Sequence, residues 1–407
     1  MKLVNLTLPG RSGRYDLLVE GGRIASLGPH SPDGSGRDLA GRMVWPCPID
    51  LHTHLDKGHI TPRRPNPDGS FPGALEAVHA DHERWTAADV TARMTFSLQC
   101  AYAHGTRAIR THLDSLGDLP RSTWPAFTRV AEEWAGRIDL QAVCLVPTEL
   151  YDGTAGMDLV RLVAEHGGLL GGFPLMTPDV ERQLACLFDL AGRHGLDVDL
   201  HVDESMDPSA RVLDLIADAV RSTGFDRPVV CGHCCSLAVQ DEATALRTLD
   251  KVADAGLAIV SLPMCNMYLQ DRTPGRTPRL RGVTLVHEAR ARGIPVAFGS
   301  DNTRDPFYAY GDLDPVEVFR EAVRIAQLDH PFDGWLDTVT TTPARLMGTT
   351  SQIVTGGPAD FIILEGRSFS EVLSRPQVRR QVVRQGQFIE AQPPLYELLD
   401  PIVGVPV

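Results

Sequence analysis

Eight short apolar runs, each followed by an amphipathic stretch long enough for a helix, fill the middle of this 407-residue chain. The runs fall at 43–51, 106–111, 140–146, 168–175, 198–202, 228–231, 258–263 and 295–299. Helices are expected near 85–103, 123–136, 157–166, 178–194, 208–222, 239–256, 282–292 and 314–328. Strands that alternate with helices pair in parallel, because each helix carries the chain back along the sheet. Eight rounds are the number that closes a (β/α)₈ barrel, so the expected fold class is α/β, a TIM-type barrel. The two shortest runs are weak strand signals, which leaves a doubly wound open sheet as the alternative.

The flanks have a different character. Residues 2–8 and 15–20 alternate, Gly21-Gly22 turns into 23–27, and a Gly/Pro/Ser/Asp-rich loop covers 28–37. The tail returns to β character at 360–364 and 382–386. The expected arrangement is a small β-sandwich satellite made from residues 1–42 and 346–407, with the barrel at 43–345 inserted between its halves. A chain of this length can hold one large barrel and such a satellite.

Bulk properties exclude some functions. The net charge is −13 and no Lys/Arg run forms a basic patch, which argues against a nucleic-acid groove. No stretch reaches the 18 or so apolar residues of a membrane span. The opening Met-Lys-Leu-Val-Asn-Leu-Thr-Leu-Pro-Gly turns polar too early for a signal peptide, so a cytoplasmic location is expected. The eight Cys sit mostly in apolar runs, as reduced small hydrophobes.

Polar residues placed on this frame gather at strand ends. His52 and His54 end the first run two residues apart, so both imidazoles point to one face and can reach one ion. His201 ends the fifth run in Asp199-Leu-His-Val-Asp-Glu204, His233 follows the sixth, and Asp301 follows the eighth. The C-terminal strand ends are where barrels of this type carry their active sites. Three His and one Asp suit Zn²⁺ or Fe²⁺ with a position left open for water.

A lone His-x-His is more often part of a half-buried strand than a ligand pair; the matching positions of His201 and Asp301 make it half of a metal site. His112 also ends a strand, and either lines the pocket or is a satisfied core group. His79, His82, His104, His166, His194 and His287 lie on or beside expected helices and are expected to face solvent. Cys231-Gly-His-Cys234 has the spacing of a thiol-exchange site, but such a site opens a helix in a compact thioredoxin-like unit. Here it follows a strand deep in a β/α series, and no second Cys pair exists to complete a cysteine-based zinc site.

His52-Thr-His-Leu-Asp-Lys57, Arg110-Thr-His-Leu-Asp114, His201-Val-Asp-Glu204, Gly232-His233 and Phe298-Gly-Ser-Asp301 together resemble the amidohydrolase superfamily, and within it the bacterial cytosine deaminase group. Glu83-Arg-Trp85, Asn266-x-x-Leu-Gln270 with Arg272, and Asp305-Pro-Phe307 extend the likeness, which runs in order from about residue 40 to 330. The stretch from Gly356 to Leu364 is similar to the family's C-terminal β segment. The resemblance implies one divalent metal ion, Zn or Fe, held by His52, His54, His201 and Asp301. The fourth run ends in Gly-Phe-Pro-Leu, which offers no Lys for the carbamylated bridge of binuclear relatives.

The implied activity is hydrolytic deamination of an amino-substituted N-heterocycle (pyrimidine, triazine or pterin), with ammonia released through attack of metal-bound hydroxide. Asp301 and His233 would take the proton of the attacking water, and Glu204 would protonate the ring nitrogen. Lys57, His112, Thr148, Asn302 and Phe307 would surround this small-molecule substrate, and a homo-oligomer without nucleic-acid or membrane partners is expected. Two polar positions and one aromatic one depart from cytosine deaminases. Thr148 stands where they carry a Gln, and Asn302 where they carry a second Asp; Phe307 replaces their Trp. A site built for one hydrogen-bond pattern rejects others strongly, so cytosine itself is disfavoured. The rival enzyme reading is hydrolysis of a cyclic amide or of an N-alkylamino ring such as a triazine. A non-catalytic scaffold or a thiol-exchange protein are the rivals from other classes; scaffold relatives lose metal ligands, whereas all four are present here.

Overall fold

The computed structural model describes residues 1–404 other than 33 and 333. Strands β1 (Lys2–Leu6), β2 (Tyr15–Glu20), β3 (Arg23–Pro29) and β4 (Arg37–Asp38) form one sheet in the order β3-β2-β1-β4. The apolar run at 43–51, expected as one strand, divides into β5 (Val44–Pro46) and β6 (Ile49–Thr53). Pro46 and Pro48 lack the N–H that a continuous ladder needs, so the chain changes sheets between them.

From β6 onward the pairing is parallel. β6, β7 (Ala108–Asp114) and β8 (Asp139–Leu145) make one sheet, and β9 (Leu170–Gly172), β10 (Val198–Val202), β11 (Val229–His233), β12 (Ala258–Ser261) and β13 (Val296–Phe298) make another in sequential order. Parallel bridges Val143–Leu169 and Pro147–Phe173 join the neighbourhoods of β8 and β9, and Thr53–Asp301 joins β6 to the end of β13. Helices follow at Ala87–His104, Pro120–Trp134, Thr154–Glu165, Val180–His194, Val212–Thr223, Glu242–Asp254, Val286–Ala291 and Pro315–Ala326, one for each expected segment.

Alternation on the strands sorts the side chains. Ile109 and Leu113 of β7, and Val198, Leu200 and Val202 of β10, join the large apolar cluster that includes the surrounding helices. The intervening residues are polar and buried: Arg110 and His112 on β7, Asp199 on β10. A separate cluster draws Leu3, Leu6, Leu17, Val19 and Ile24 from the N-terminal sheet together with Val44, Phe361, Ile363 and Val383. The last four belong to β5, β14 (Phe361–Leu364) and β15 (Arg380–Arg384), which with β16 (Gln387–Ile389) form an antiparallel sheet in the order β16-β15-β14-β5.

Helices Phe71–Asp81 and Pro263–Leu269 fall outside the expected helical segments. The first is started by Ser70, whose side chain accepts from Gly73 N, with a Pro in its first turn. His82, His104 and His166, expected to face solvent, are half-buried instead: His82 Nε2 lies 3.5 Å from Asp114, His104 Nε2 2.7 Å from Asp312 and His166 Nδ1 2.7 Å from the Thr128 hydroxyl. Among the described residues, no helix is long and apolar enough to cross a membrane.

Candidate active site

The strand ends bring His52, His54, His201 and Asp301 to one point. His201 Nε2 lies 3.2 Å from the Nε2 atoms of both His52 and His54. Asp301 Oδ1 lies 3.6 Å from His52 Nε2 and 3.3 Å from His54 Nε2. Ligand atoms about 2.0–2.1 Å from a tetrahedral ion stand roughly 3.3–3.4 Å apart, so the donor set has the spacing of a coordination shell. Both carboxylate oxygens of Asp301 are buried without a hydrogen-bond donor among the described residues, a costly arrangement unless a cation occupies the point they face. Burial holds His52, His54 and His201 well below the usual imidazole pKa, so the rings are neutral and their lone pairs are available. The residues fit a divalent metal ion.

Backbone detail explains the tight approach. Asp301 N donates to His52 O at 2.9 Å, locking the end of β13 onto β6. A Cβ at Gly232 would stand 2.9 Å from His52 Cε1, and one at Gly299 would stand 2.9 Å from His52 O, so both flanks of His52 need glycine. His233 (φ 68°), Cys234 (φ 51°) and Asp301 (φ 63°) are non-glycine residues in the left-handed region. Such strain persists where the surroundings over-determine it, and it concentrates at functional sites.

Around this cluster lies a buried polar layer. His112 stacks against His52 with ring centroids 4.0 Å apart, and its Nε2 is 3.3 Å from Asp199 Oδ1. Asp199 Oδ2 in turn accepts from Arg110 Nη1 at 2.8 Å. His233 presents Nδ1 to Asn266 Nδ2 at 3.0 Å, and Asn266 Nδ2 is also 3.3 Å from Glu204 Oε1. Burial raises the Glu204 carboxyl well above its ordinary range, and the nearby Asp301 charge adds to that against the opposing pull of Lys57. Burial also lowers His233 to about 3, which keeps it neutral.

The residues expected around a substrate divide into two groups. Lys57 is 4% exposed, its ammonium 2.7 Å from Asp114 Oδ1 and 5.5 Å from the centre of the Phe307 ring. Burial works against its charge, but Asp114 and Asp56 more than compensate and hold its pKa above the usual value. Phe307 also meets Phe71 edge-on at 5.4 Å. Thr148 and Asn302 are already engaged by protein. The Thr148 hydroxyl is 3.4 Å from Gln183 Oε1. Asn302 donates to Asp305 Oδ2 at 2.8 Å, while its Oδ1 accepts from the Cys265 thiol at 3.5 Å. Asp305 Oδ1 then accepts from the backbone N–H of Phe307 and Tyr308, at 2.8 and 3.1 Å, so Asn302 helps to set the loop that carries Phe307.

Sequence reasoning did not single out Asn266, Asp114, Asp199 or Gln183 as functional. The first three lie inside motifs that were read for their neighbours. Gln183 had no signal, because its contact with Thr148 crosses from one strand end to the helix after the next strand. Cys231 and Cys234 are fully buried and burial drives both thiols up in pKa, which removes the reactivity a thiol-exchange site requires.

Comparison with known proteins agrees with this geometry. A sequence profile of the amidohydrolase family matches residues 141–389. A pterin deaminase of Rhizobium rhizogenes is 53% identical over 411 residues, covering 99% of this chain and 94% of the relative. The crystal structure of 5-methylcytosine deaminase from Klebsiella pneumoniae, bound to 5-fluorocytosine, superposes with a TM-score of 0.87 at 26% identity, over 96% of this chain and 98% of that one. N-isopropylammelide isopropylaminohydrolase from Burkholderia multivorans follows at 0.74, also 26% identical, over 95% and 97% of the two chains. The chain belongs to the amidohydrolase family, with the metal-capable His/Asp cluster of its metal-dependent enzymes, and is a hydrolytic deaminase of an N-heterocycle.

Proposed function

We propose that the chain deaminates a pterin, exchanging the ring amino group for oxygen and releasing ammonia. The observation that carries this reading is the 53% identity to a pterin deaminase across 99% of the chain. The pocket supports it. Thr148 is shorter than the Gln of cytosine deaminases, Asn302 is drawn away to Asp305, and Phe307 with Phe71 offers an aromatic wall for a planar ring.

The frame for this site is a closed eight-stranded barrel, supported by the bridges at Val143–Leu169 and Thr53–Asp301. Its satellite is a β-sandwich of residues 1–42 and 346–407 joined by β5, supported by the apolar cluster that both ends share with Val44. One Zn or Fe ion, held by His52, His54, His201 and Asp301, would lower the pKa of a bound water toward neutrality. Asp301 takes a proton from the attacking water. Glu204, kept protonated by burial, gives its proton to the ring nitrogen next to the attacked carbon. The exocyclic nitrogen collects the proton held by Asp301, the C–N bond breaks and ammonia leaves. Lys57 and Phe307 orient the ring, with His112 supporting His52 from behind.

Metal-replete protein incubated with pterin, cytosine, 5-methylcytosine and N-isopropylammelide tests the reading. Ammonia and a dioxopteridine from pterin, with far slower turnover of the pyrimidines, is the expected result. Isopropylamine from the triazine with no ammonia from pterin would transfer the assignment to the N-alkylamino reading.

A further inference from the structure

Asn266 ties together the two proton-bearing groups that flank the metal-capable cluster. It lies on the helix Pro263–Leu269 that follows β12 and is 1% exposed. Its Nδ2 stands 3.0 Å from His233 Nδ1 and 3.3 Å from Glu204 Oε1. A primary amide nitrogen has two hydrogens, and here it has two acceptors; His233 Nδ1 is also 3.4 Å from Glu204 Oε1, a longer approach than its 3.0 Å to the amide nitrogen. The helix is held in place: Asn266 N donates to Leu262 O at 3.0 Å, and Gln270 Nε2 reaches Glu204 O at 3.4 Å.

The consequence falls on the other edge of the imidazole. A neutral ring has one donor and one acceptor nitrogen, and the partner of one fixes the role of the other. If Nδ1 accepts from Asn266, the ring proton sits on Nε2. That Nε2 is buried and has no partner among the described residues. His233 also forms a group with His52 and Asp301 whose ligating atoms all lie within 4.8 Å of one another.

We infer that Asn266 is a positioning residue that fixes His233 with its proton on Nε2, so that His233 donates a hydrogen bond to the attacking oxygen and does not take the water's proton. Proton acceptance then falls to Asp301 alone, which departs from the sequence expectation that both groups share it. The step balances: the water oxygen forms the new C–O bond, one of its protons passes through Asp301 to the departing nitrogen, the C–N bond breaks to give ammonia, and the other proton leaves the oxygen as the carbonyl forms and returns Glu204 to its protonated state. His233 begins and ends neutral. This rests on the deaminase chemistry but not on which heterocycle is bound.

The test reads the tautomer directly. Full-length, metal-loaded protein labelled with ¹⁵N-histidine is compared by NMR with the same protein carrying His233→Gln, which assigns the His233 nitrogens by difference. Expected is an unprotonated nitrogen at Nδ1 and a protonated one at Nε2. The Asn266→Asp variant replaces the donor by an acceptor of equal shape, so the proton should move to Nδ1. In that variant kcat should fall on the order of a hundredfold, the effect of losing one hydrogen-bond donor to a developing oxyanion, with KM changed only about threefold and metal content unchanged. A proton on Nδ1 in the wild-type enzyme overturns the inference, as does an Asn266→Asp enzyme with wild-type kcat. If Asn266→Asp does not fold, the wild-type spectrum alone decides, and because it requires no substrate it stands apart from the pterin assignment.

Discussion

Restoring the aspartate of cytosine deaminases at position 302 should make the stability of this protein depend on pH in a new way. Asn302 Nδ2 donates to Asp305 Oδ2 at 2.8 Å, and the two residues are 4% and 0% exposed. In Asn302→Asp, two carboxylates would face each other at that 2.8 Å separation, where like unit charges repel by about 6 kcal/mol even at an effective dielectric of about 20. Such a pair keeps one proton between its members rather than ionise fully. Burial already raises Asp305 to about 6, with Asn302 among the groups opposing the rise. Removing that donor and adding a negative neighbour pushes the last proton of the pair well above 6. The wild-type Asp305 is half-protonated at pH 6 when folded and ionised above about pH 7, so it adds only a small slope at the start of this range. The variant holds one proton when folded that its unfolded chain has released, so its stability falls as pH rises. One proton corresponds to about 1.4 kcal/mol per pH unit, or about 2 kcal/mol lost relative to wild type between pH 6 and pH 8 once the wild type's own small loss near pH 6 is subtracted. Urea unfolding of both metal-loaded proteins at pH 6, 7 and 8 measures this. Parallel stabilities across that range would refute the reasoning, because they would mean that Asn302 and Asp305 do not share a dry contact.

Three further outcomes are expected. Glu204→Gln should lower kcat by on the order of 10²- to 10⁴-fold while metal content stays at the wild-type level; loss of metal would mean that Glu204 supports the ion and is not the acid. Dialysis against a chelator should abolish activity and lower the melting temperature, with both restored by one equivalent of Zn²⁺ or Fe²⁺; a requirement for two equivalents would refute the mononuclear site. Arg110→Met should destabilise the fold by about 3–5 kcal/mol in denaturant titrations, because Arg110 and Asp199 are both buried and the substitution leaves Asp199 without its cation. A loss under about 1 kcal/mol would show that Asp199 is held mainly by His112.

The parts of this protein that were legible in its sequence share one property: they repeat or they pattern at short range. Eight strand–helix rounds leave a periodic trace, and each expected barrel helix is present within a few residues of its expected bounds. The cluster of His52, His54, His201 and Asp301 was legible because each lies at a strand end, so the frame located them. The break at Pro46-Cys47-Pro48 was hidden by hydrophobicity, since β5 and β6 are both apolar and only the missing N–H groups separate them. Helix Pro263–Leu269 was hidden because it is only seven residues long.

The substrate side was the least legible, and the reason is specific. Thr148 and Asn302 were identified by what relatives carry at those positions, on the premise that their polar groups face the ligand. In the fold each has a protein partner: Gln183 for Thr148, and Asp305 with Cys265 for Asn302. A residue can therefore control specificity without touching substrate, by what it leaves open and by which loop it anchors. Asn302 does the second, since the Asp305 carboxylate that it binds also accepts from the N–H of Phe307 and so places that ring over Lys57. If the substrate is the proposed pterin, the switch from a pyrimidine to a larger ring would lie in the position of Phe307 and the shorter side chain of Thr148, with the His/Asp cluster unchanged. Hence substitutions at Asn302 should move KM through Phe307, in step with Phe307→Ala.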